Sequence, residues 1–341
     1  MKRYPFELKR QNNQYIFGMI DYQNDFKDVS KVCIVCNGMN GNRIEASRML
    51  IKFSNVATTL RNMACVRFDY YGTGLSDGEF YESSIESRVA DLFIVINFIK
   101  AKFYHENTQL FLIGFSDGIK VILDYLEKYT EENYQIIAWS PTIFELPSEV
   151  KERMFFTREP STKSLVVPFG GLWVGKKYLQ DLRRSETYWK KFIKHRGRIF
   201  CVFGSADSKT KKLQKINLRG YGIRKETIIG ADHTFREAQW MKIAIDLTIN
   251  HMKNLIDIHD DKILGLIYSY IVNSIKNSNV GLEDNLMLYG LDSYNFVNLI
   301  AILESELNID LDEYMIINKM NSIQKIYRVC NELIKKNEGD E

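Results

Sequence analysis

Three positions along the chain combine the side chains that covalent acyl chemistry needs. A serine hydroxyl is a weak nucleophile at its ordinary pKa, so it needs a contacting base, a carboxylate that orients the base, and donors facing the developing oxyanion. Ser116 lies between Gly114 and Gly118, directly after an apolar run. Asp207 follows a later apolar run, and His233 follows the next predicted strand. The sequence therefore predicts Ser116 as nucleophile, His233 as base and Asp207 as the acid that orients the base.

A second carboxylate is available to orient the base. Asp232 lies directly before His233, but the histidine ring would have to fold back on its neighbour to meet it. We therefore favour Asp207 and keep Asp232 as the alternative.

The elements that must position these side chains follow a regular alternation. Short β-branched runs alternate with longer segments of helical period, which predicts a parallel sheet covered by helices. All three candidate residues follow predicted strands, and open sheets place their sites at the carboxyl ends of strands. The predicted strands are 31–36, 64–68, 109–113, 135–139, 198–203 and 225–229, the predicted helices are 43–61, 84–100, 118–129 and 235–252, and an antiparallel hairpin of 5–10 with 14–22 is expected at the sheet edge.

The motif around Ser116 resembles the nucleophile elbow of α/β-hydrolases. Its strand-turn-helix context and the chain order Ser116, Asp207, His233 both match that fold. The resemblance covers residues 31–252. It implies a serine hydrolase of the thioesterase or acyltransferase type.

The same resemblance assigns backbone donors for the oxyanion. Residues 37–41, Asn-Gly-Met-Asn-Gly, lie after a predicted strand, where α/β-hydrolases supply an oxyanion-hole amide. The resemblance implies the backbone N–H groups of Met39 and Asp117 as the donors. Asn37 replaces the histidine that often opens this loop. Residues 67–78 are similar to the Asp-x-x-Gly-x-Gly-x-Ser loop of the same fold.

Residues 142–188 break the alternation of strands and helices. A connection of that length inside a compact domain usually covers a site, so we expect a cap here. Its basic side chains form either a solvated face or a docking surface for an acidic partner or a phosphate. These side chains are Lys176, Lys177, Arg183, Arg184, Lys190 and Lys191.

The last quarter of the chain contains a serine motif of a different kind. Residues 288–294, Leu-Tyr-Gly-Leu-Asp-Ser-Tyr, end a loop and open into an apolar helix predicted over 294–307. The motif resembles the attachment site of acyl and peptidyl carrier proteins, which implies a covalent 4'-phosphopantetheine on Ser293. The alternative is that Asp292 and Ser293 only cap the helix, since both residue types are favoured at helix starts.

The two resemblances together predict an α/β fold followed by a small all-α bundle of four helices. We expect an α/β-hydrolase domain at residues 1–253, with its cap at about 142–188, and a carrier domain at 258–337. In the carrier domain, helices are predicted over 258–275, 294–307 and 322–336, with a short turn or helix around 312–316.

Composition and charge narrow the function further. The chain has no window of about 18 uncharged apolar residues, so no membrane span is expected, and the cytoplasm is predicted as its location. Residues 257–341 contain 15 acidic and 7 basic side chains, whereas the preceding residues contain 28 acidic and 39 basic ones. The sequence has no cluster of basic residues interleaved with aromatic ones, so nucleic-acid binding is not predicted. No metal site is predicted either.

The function expected from sequence is therefore a serine thioesterase or acyltransferase coupled to a phosphopantetheine-dependent carrier, in specialised fatty acid, polyketide or peptide biosynthesis. The expected partners are a phosphopantetheinyl transferase and an acyl-loading or other biosynthetic enzyme. Two alternatives stay open. In one, the hydrolase fold is a non-catalytic docking scaffold for the carrier; in the other, the chain is a carboxylesterase with an appended interaction bundle.

Overall fold

The computed structural model describes most of the chain as two compact units. The described residues are 1–339 without 24, 104–107, 130, 132–133, 145–155, 170, 182–184, 278–279 and 315–319. The first unit comprises residues 1–195 and 199–249, and the second comprises residues 196–198 and 250–341. The predicted domain limits, 1–253 and 258–337, stay a prediction.

The first unit is built on a mixed sheet. Its strands are β1 Lys2–Lys9, β2 Tyr15–Tyr22, β3 Lys31–Cys36, β4 Met63–Phe68, β5 Gln109–Phe115, β6 Tyr134–Trp139, β7 Thr157–Arg158, β8 Leu165–Phe169, β9 Leu172–Gly175, β10 Ile199–Gly204 and β11 Arg224–Ile228. Eight of them form one sheet in the order β1-β2-β4-β3-β5-β6-β10-β11. The neighbours from β4 to β11 pair in parallel, whereas β2 pairs antiparallel with both β1 and β4.

The central strands are buried along their whole length. Every residue of β3, β4, β5, β6 and β10 is buried, which explains why these strands read as continuous apolar runs in the sequence. The predicted α/β fold class is confirmed. The six predicted strands agree with the observed ones to within two residues, and the predicted hairpin, β1 with β2, lies at the sheet edge.

Helices follow the strands of the first unit. Two residues, Ser116 and Asp117, separate the end of β5 from the start of the helix α3, which packs against β5 and β3. The last helix continues beyond residue 249, where the first unit ends. The helices are α1 Met49–Ala57, α2 Ile85–Phe103, α3 Gly118–Lys128, α4 Lys176–Asp181, α5 Ser185–Lys194, α6 Lys211–Gln214 and α7 Ala238–Asp260.

The helix predicted over 43–61 is wrong at both ends, since α1 covers only Met49–Ala57. Glu45, Ser47 and Arg48 have φ angles of 57°, 52° and 60°, which a right-handed helix does not accommodate. The Arg43 N–H donates to the Asp69 carboxylate at 2.6 Å. The segment before α1 is therefore a loop anchored to the neighbouring strand end.

The segment 142–188, predicted as a cap, has structure of its own. β7, β8 and β9 form a small antiparallel sheet, and α4 and α5 follow it. Two of its basic side chains already have acidic partners within the first unit: Lys177 binds Glu86 at 2.7 Å, and Lys191 binds Asp124 at 2.8 Å. Residues 145–155, 170 and 182–184 lie outside the described residues, among them Arg183 and Arg184. The role of the segment as a cap stays a prediction.

The second unit is helical. After the end of α7 it contains α8 Lys262–Ile275, α9 Ser293–Leu307 and α10 Ile323–Gly339, together with short 3-10 turns at Leu286–Tyr289 and Asp312–Tyr314. Its core is formed by apolar side chains of these helices and of the segment before α9, and includes Leu264, Ile267, Ile271, Leu286, Leu291, Phe296, Leu299, Ile300, Leu303, Ile323 and Ile326. The described part of the chain contains no helix with both the length and the apolar content that crossing a bilayer requires.

The start predicted for the first helix of this unit is wrong. Residues 258–260 still belong to α7, and α8 begins at Lys262. The cause is Asp261, whose side chain accepts the Leu264 N–H at 2.9 Å and so caps the new helix. The turn predicted around 312–316 is confirmed for Asp312–Tyr314, while residues 315–316 lie outside the described residues.

Candidate active site and carrier site

Ser116 occupies a sharp turn between β5 and α3. Its φ angle is +54°, a conformation that is strained for a residue with a side chain and is typical of a nucleophile elbow. The two flanking glycines permit the turn. A Cβ on Gly114 would lie 2.7 Å from the Ile119 nitrogen, and one on Gly118 would lie 2.0 Å from the Cys36 carbonyl oxygen.

A continuous chain of hydrogen bonds links the three predicted catalytic side chains. The Nε2 atom of His233 lies 2.9 Å from Ser116 Oγ, and its Nδ1 atom lies 2.8 Å from Asp207 Oδ2. Asp207 follows β10, and His233 follows β11, so both side chains come from the carboxyl ends of neighbouring strands. The structure thus brings together three residues that are up to 117 positions apart in the sequence.

The surroundings of Asp207 keep its carboxyl group charged. Burial raises its pKa, but the hydrogen bond from His233, the attraction to that ring, and donors from Thr210 and the Lys209 backbone outweigh burial and lower the pKa. The Thr210 hydroxyl donates to Oδ2 at 2.8 Å, and the Lys209 N–H donates to Oδ1 at 3.0 Å. An ionised carboxylate in this position can hold the His233 ring in one orientation.

Asp232, the alternative orienting acid, is engaged elsewhere. Its carboxylate accepts the backbone N–H groups of Thr234 at 3.0 Å and Arg236 at 3.2 Å. It also forms an ion pair with the Arg236 side chain at 2.7 Å. The carboxylate that contacts His233 is that of Asp207.

The N–H groups of Met39 and Asp117, predicted as oxyanion donors, each belong to a peptide whose carbonyl oxygen accepts a hydrogen bond. That bond fixes the orientation of the peptide. The Gly38 carbonyl accepts from Arg88 Nη1 at 2.9 Å, and the Ser116 carbonyl accepts from the Thr142 N–H at 3.3 Å. Within the described residues, the N–H groups of Met39 and Asp117 donate to no protein acceptor. Both are therefore available to a ligand, and their role as donors stays a prediction.

The Asp117 side chain turns into the protein and away from solvent. It forms a buried ion pair with Lys120 at 2.9 Å and accepts the Thr142 hydroxyl. Burial raises the pKa of its carboxyl group, but the Lys120 ammonium and the Thr142 hydroxyl outweigh burial and lower it. The negative charge of Asp117, next to Ser116, is thus balanced by the buried ammonium group of Lys120.

Sequence reasoning missed Arg88, which lies on α2 and is fully buried. Its guanidinium donates to the carbonyl oxygens of Gly38 and Met39 and to the Ser83 hydroxyl. The only signal in the sequence is an arginine on the apolar face of a predicted helix. That pattern does not say which loop the side chain reaches.

In the second unit, Ser293 is the first residue of α9, and it is exposed. Asp292 caps the helix, because its carboxylate accepts the Asn295 N–H at 2.8 Å. Within the described residues the Ser293 hydroxyl has no hydrogen-bond partner, so capping does not occupy it. Exposed apolar side chains lie nearby in sequence, at Leu288, Tyr294 and Val297.

Family comparisons match both parts of the chain. Residues 28–187 match the family model described as serine aminopeptidase, S33, and residues 272–330 match the model described as phosphopantetheine attachment site. No curated protein matches the chain. The chain therefore joins an α/β-hydrolase domain to a phosphopantetheine carrier domain, as both resemblances predicted. The thioesterase or acyltransferase type of the hydrolase stays a prediction.

Solved structures support the hydrolase fold. The chain is similar to Est1E from Butyrivibrio proteoclasticus with ferulic acid bound, with a TM-score of 0.55 and 16% identity over 74% of this chain and 97% of that one. It is equally similar to the esterase domain of a Rhodothermus marinus protein, with a TM-score of 0.55 and 16% identity over 74% of this chain and 98% of that one. Identity this low shows the fold alone.

A carrier domain of this family holds 4'-phosphopantetheine covalently on a serine. The surroundings of Ser293 fit that group. The hydroxyl is exposed and has no protein partner among the described residues, so another enzyme can reach it. It also lies at the N-terminus of a 15-residue helix, where the helix dipole and free N–H groups favour a phosphate.

Proposed function

We propose that the chain is a serine hydrolase that acts on acyl thioesters, as a thioesterase or an acyltransferase, and that it works with its own type of carrier. The observation that supports this best is the hydrogen-bonded chain Ser116–His233–Asp207 in a protein that also contains a carrier domain. Ser116 is the nucleophile, His233 the base, and Asp207 the orienting acid.

The reaction proceeds in two steps. His233 Nε2 takes the proton of Ser116 as Oγ attacks the acyl carbonyl carbon, and the resulting oxyanion accepts hydrogen bonds from the Met39 and Asp117 N–H groups. Asp207 stabilises the protonated ring through Nδ1. His233 then gives its proton to the leaving thiol, and the acyl group stays on Ser116 as an ester.

In the second step, His233 removes a proton from an acceptor that attacks the carbonyl carbon of the acyl-Ser116 ester, and it returns that proton to Ser116 Oγ as the bond between Oγ and the acyl carbon breaks. Water as acceptor gives a thioesterase, and an alcohol or amine gives an acyltransferase. The same three side chains serve both outcomes, so the acceptor is selected by the walls of the site. The expected cap, residues 142–188, is our candidate for that selection.

The carrier contribution centres on Ser293. Phosphopantetheine, when bound there, supplies a thiol that carries acyl groups as thioesters. Asp292 holds the helix start in place beneath it through the Asn295 N–H. The exposed apolar side chains of Leu288, Tyr294 and Val297 offer contacts to partner enzymes.

The partners follow from this chemistry. A phosphopantetheinyl transferase must modify Ser293, and an acyl-loading enzyme must supply the acyl group. We place the system in specialised fatty acid, polyketide or peptide biosynthesis. The cytoplasmic location also stays a prediction from the sequence.

The test is hydrolysis and transfer with a panel of acyl thioesters and the matching oxygen esters. The wild-type chain should release thiol from thioesters, and Ser116→Ala should not. A fluorophosphonate probe should label the wild type and spare Ser116→Ala. Ser269→Ala, which removes an exposed helical hydroxyl of the second unit, serves as the matched control and should behave as wild type.

Two alternatives make different predictions in the same assay. A carboxylesterase with an appended bundle would prefer oxygen esters and acquire no phosphopantetheine. A non-catalytic scaffold would show no turnover and no fluorophosphonate label on Ser116. Absence of any label on Ser116 in the folded wild type would rule out the proposed enzyme.

A further inference from the structure

Arg88 is a buried cation that lies outside the hydrogen-bonded chain of Ser116, His233 and Asp207. Its Nη1 and Nη2 atoms donate to the carbonyls of Gly38 and Met39, and its Nε donates to Ser83 Oγ at 3.1 Å. Within the described residues no carboxylate lies within ion-pair distance of the guanidinium. The hydrogen-bonding capacity of this cation is therefore directed largely at the backbone of one loop.

The guanidinium is held in a fixed place by aromatic rings. Its central carbon lies 4.8 Å from the ring centre of Tyr70, 4.9 Å from that of Tyr178 and 5.6 Å from that of Phe80. Ring faces attract a cation and stabilise it where water is excluded. Arg88 thus points at the loop from a rigid, dry position.

The geometry of the peptide bond converts this contact into an orientation of the site. The Gly38 carbonyl and the Met39 N–H belong to one planar trans peptide, so they point in opposite directions. Because Arg88 Nη1 binds the carbonyl, the Met39 N–H is turned away from Arg88. The Ser116 carbonyl and the Asp117 N–H also belong to one trans peptide and point in opposite directions. Here the Thr142 N–H donates to the carbonyl.

A carboxylate holds the same glycine from the other side. Glu45 Oε1 accepts the Gly38 N–H at 3.1 Å. Burial raises the pKa of Glu45, and the charge of Arg88 opposes that rise. Gly38 is therefore clamped between a carboxylate at its N–H and a guanidinium at its carbonyl, which fixes the peptide that ends in the Met39 N–H.

We propose that Arg88 is the positioning residue of the oxyanion hole. It holds the Met39 N–H toward the acyl oxygen, and it strengthens that donor, because a cation bound to the carbonyl polarises the whole peptide. Arg88 touches no reacting atom, so its effect reaches the reaction only through the Gly38–Met39 peptide. The inference rests on the proposed function, since it requires Ser116 to be the nucleophile.

The main test replaces Arg88 and separates kcat from KM. Because the donor acts on the oxyanion and not on the bound substrate, Arg88→Met should lower kcat by about 100-fold while KM stays within about threefold. Affinity for a boronic acid, which forms a tetrahedral anion on Ser116, should fall by the same factor as kcat. Arg88→Lys should recover part of the loss, and added guanidinium should partly rescue Arg88→Ala.

The matched control is Arg10→Met. Arg10 also has its guanidinium over a ring, at 4.2 Å from the centre of Tyr71, and it forms an ion pair with buried Asp91. In the part of the chain that the structure describes, Arg10 donates to Asp91 and Gln14 and has no hydrogen bond to residues 37–41. The kcat of the Arg10→Met variant should therefore stay within about twofold of the wild-type value, as expected for a change away from the reacting atoms.

The outcomes are distinguishable. Activity in the wild type together with an unchanged kcat in folded Arg88→Met would overturn the inference and leave the proposed function intact. A rise in KM with kcat unchanged would also overturn it, since that pattern indicates lost substrate binding. A wild type inactive on every acyl ester and thioester would overturn both proposals.

A milder variant covers the case in which Arg88→Met does not fold. Ser83→Ala removes only the acceptor of Arg88 Nε, so the guanidinium stays buried but gains freedom to move. Its kcat should fall by about threefold to tenfold with KM unchanged. Wild-type kcat in Ser83→Ala, combined with loss of folding in Arg88→Met, would mean that Arg88 serves the fold and not the oxyanion hole.

Discussion

Ser116 and Ser293 both stand at the start of a helix, yet their surroundings are opposite. Ser116 is 8% exposed, has a positive φ angle and meets the imidazole of His233. Ser293 is exposed, is the first residue of α9, and has no hydroxyl partner among the described residues. Each also has an aspartate next to it, Asp117 after the first serine and Asp292 before the second.

The difference fits the two kinds of task that we propose for these serines. A serine nucleophile must be deprotonated by a contacting base, so it is held against that base in one geometry. An attachment site is modified by another enzyme that brings its own catalytic groups, so it needs exposure and a stable helix beneath it. The neighbouring aspartates follow the same division, since Asp117 balances a buried lysine and Asp292 caps a helix.

Replacing each serine by alanine in a separate variant should separate turnover of acyl thioesters from attachment of phosphopantetheine. Ser116→Ala should lower kcat by about 10⁴-fold to 10⁶-fold, because the nucleophile is lost. Its Ser293 should still gain the mass of phosphopantetheine when coenzyme A and a transferase are added. Ser293→Ala should behave in the reverse way, with unchanged turnover of free acyl thioesters and no added mass.

Intact-mass spectrometry and thioester turnover read the two tasks independently. Ser269→Ala controls for removal of an exposed hydroxyl and should match wild type in both readouts. If Ser116→Ala retains full turnover, a different nucleophile operates. If Ser293→Ala still gains the mass, the attachment serine has been assigned wrongly.

Changing the orienting acid should have the next largest effect, and only on the Ser116 side. Asp207→Asn keeps the size of the side chain but removes the charge that holds and stabilises the His233 ring. We expect kcat to fall by about 10⁴-fold, as in the triads of other serine hydrolases. Stopped-flow or steady-state thioester cleavage measures the loss.

Asp232→Asn is the matched control for that change. It neutralises the carboxylate that is adjacent in sequence but bound to Thr234 and Arg236, so kcat should stay within about threefold of wild type. The reverse ranking of the two variants would make Asp232 the orienting acid and would contradict the observed hydrogen-bond chain.

The sequence was sufficient to predict those parts of the fold and the site that depend on residue type and on the order of the strands. The short, β-branched apolar run of β3 is typical of a strand buried on both faces, and the neighbouring strands β10 and β11 bring Asp207 and His233 to one edge of the sheet. The sequence was insufficient to predict features that depend on a backbone angle or on a hydrogen-bond partner far away in the sequence. The left-handed Ser47 and Arg48 shorten α1, and nothing local to Arg88 shows that it reaches the Gly38 carbonyl.

Removing the charge of Asp117 should destabilise the first unit without removing catalysis. Asp117→Asn leaves the Lys120 ammonium buried without a carboxylate, which costs about 3–5 kcal/mol of unfolding free energy. The group that we propose to act in catalysis at this position is the backbone N–H, so kcat should stay within about tenfold of wild type. Denaturant unfolding followed by tryptophan fluorescence measures the stability.

The pH dependence of stability has a defined sign at this position. The pKa of Asp117 is lower in the folded chain than the unfolded value of about 3.9, so its stabilisation is complete above that value. It is lost as the pH falls below about 4 and through the lower folded pKa. Asp117→Asn should reduce that acid-dependent loss. A double variant, Asp117→Asn with Lys120→Met, should regain part of the stability at neutral pH, and failure to regain any would contradict the ion-pair explanation.

The smallest effect is expected beside Ser293, and it decides which residue caps α9. Asp292→Ala removes the acceptor of the Asn295 N–H, which costs about 1 kcal/mol at a helix start. Hydrogen exchange of the Asn295 amide should therefore accelerate by about fivefold. Glu306→Ala removes the same charge elsewhere on α9 and should leave this amide unchanged.

Ser293→Ala gives the opposite test of the same point. If Asp292 alone caps the helix, losing the Ser293 hydroxyl should not accelerate exchange at Asn295, and the hydroxyl is free to carry a prosthetic group. If exchange accelerates in Ser293→Ala and not in Asp292→Ala, the serine is itself the cap. A capping serine would have to give up that bond on modification, so attachment would then destabilise the helix start on which it depends.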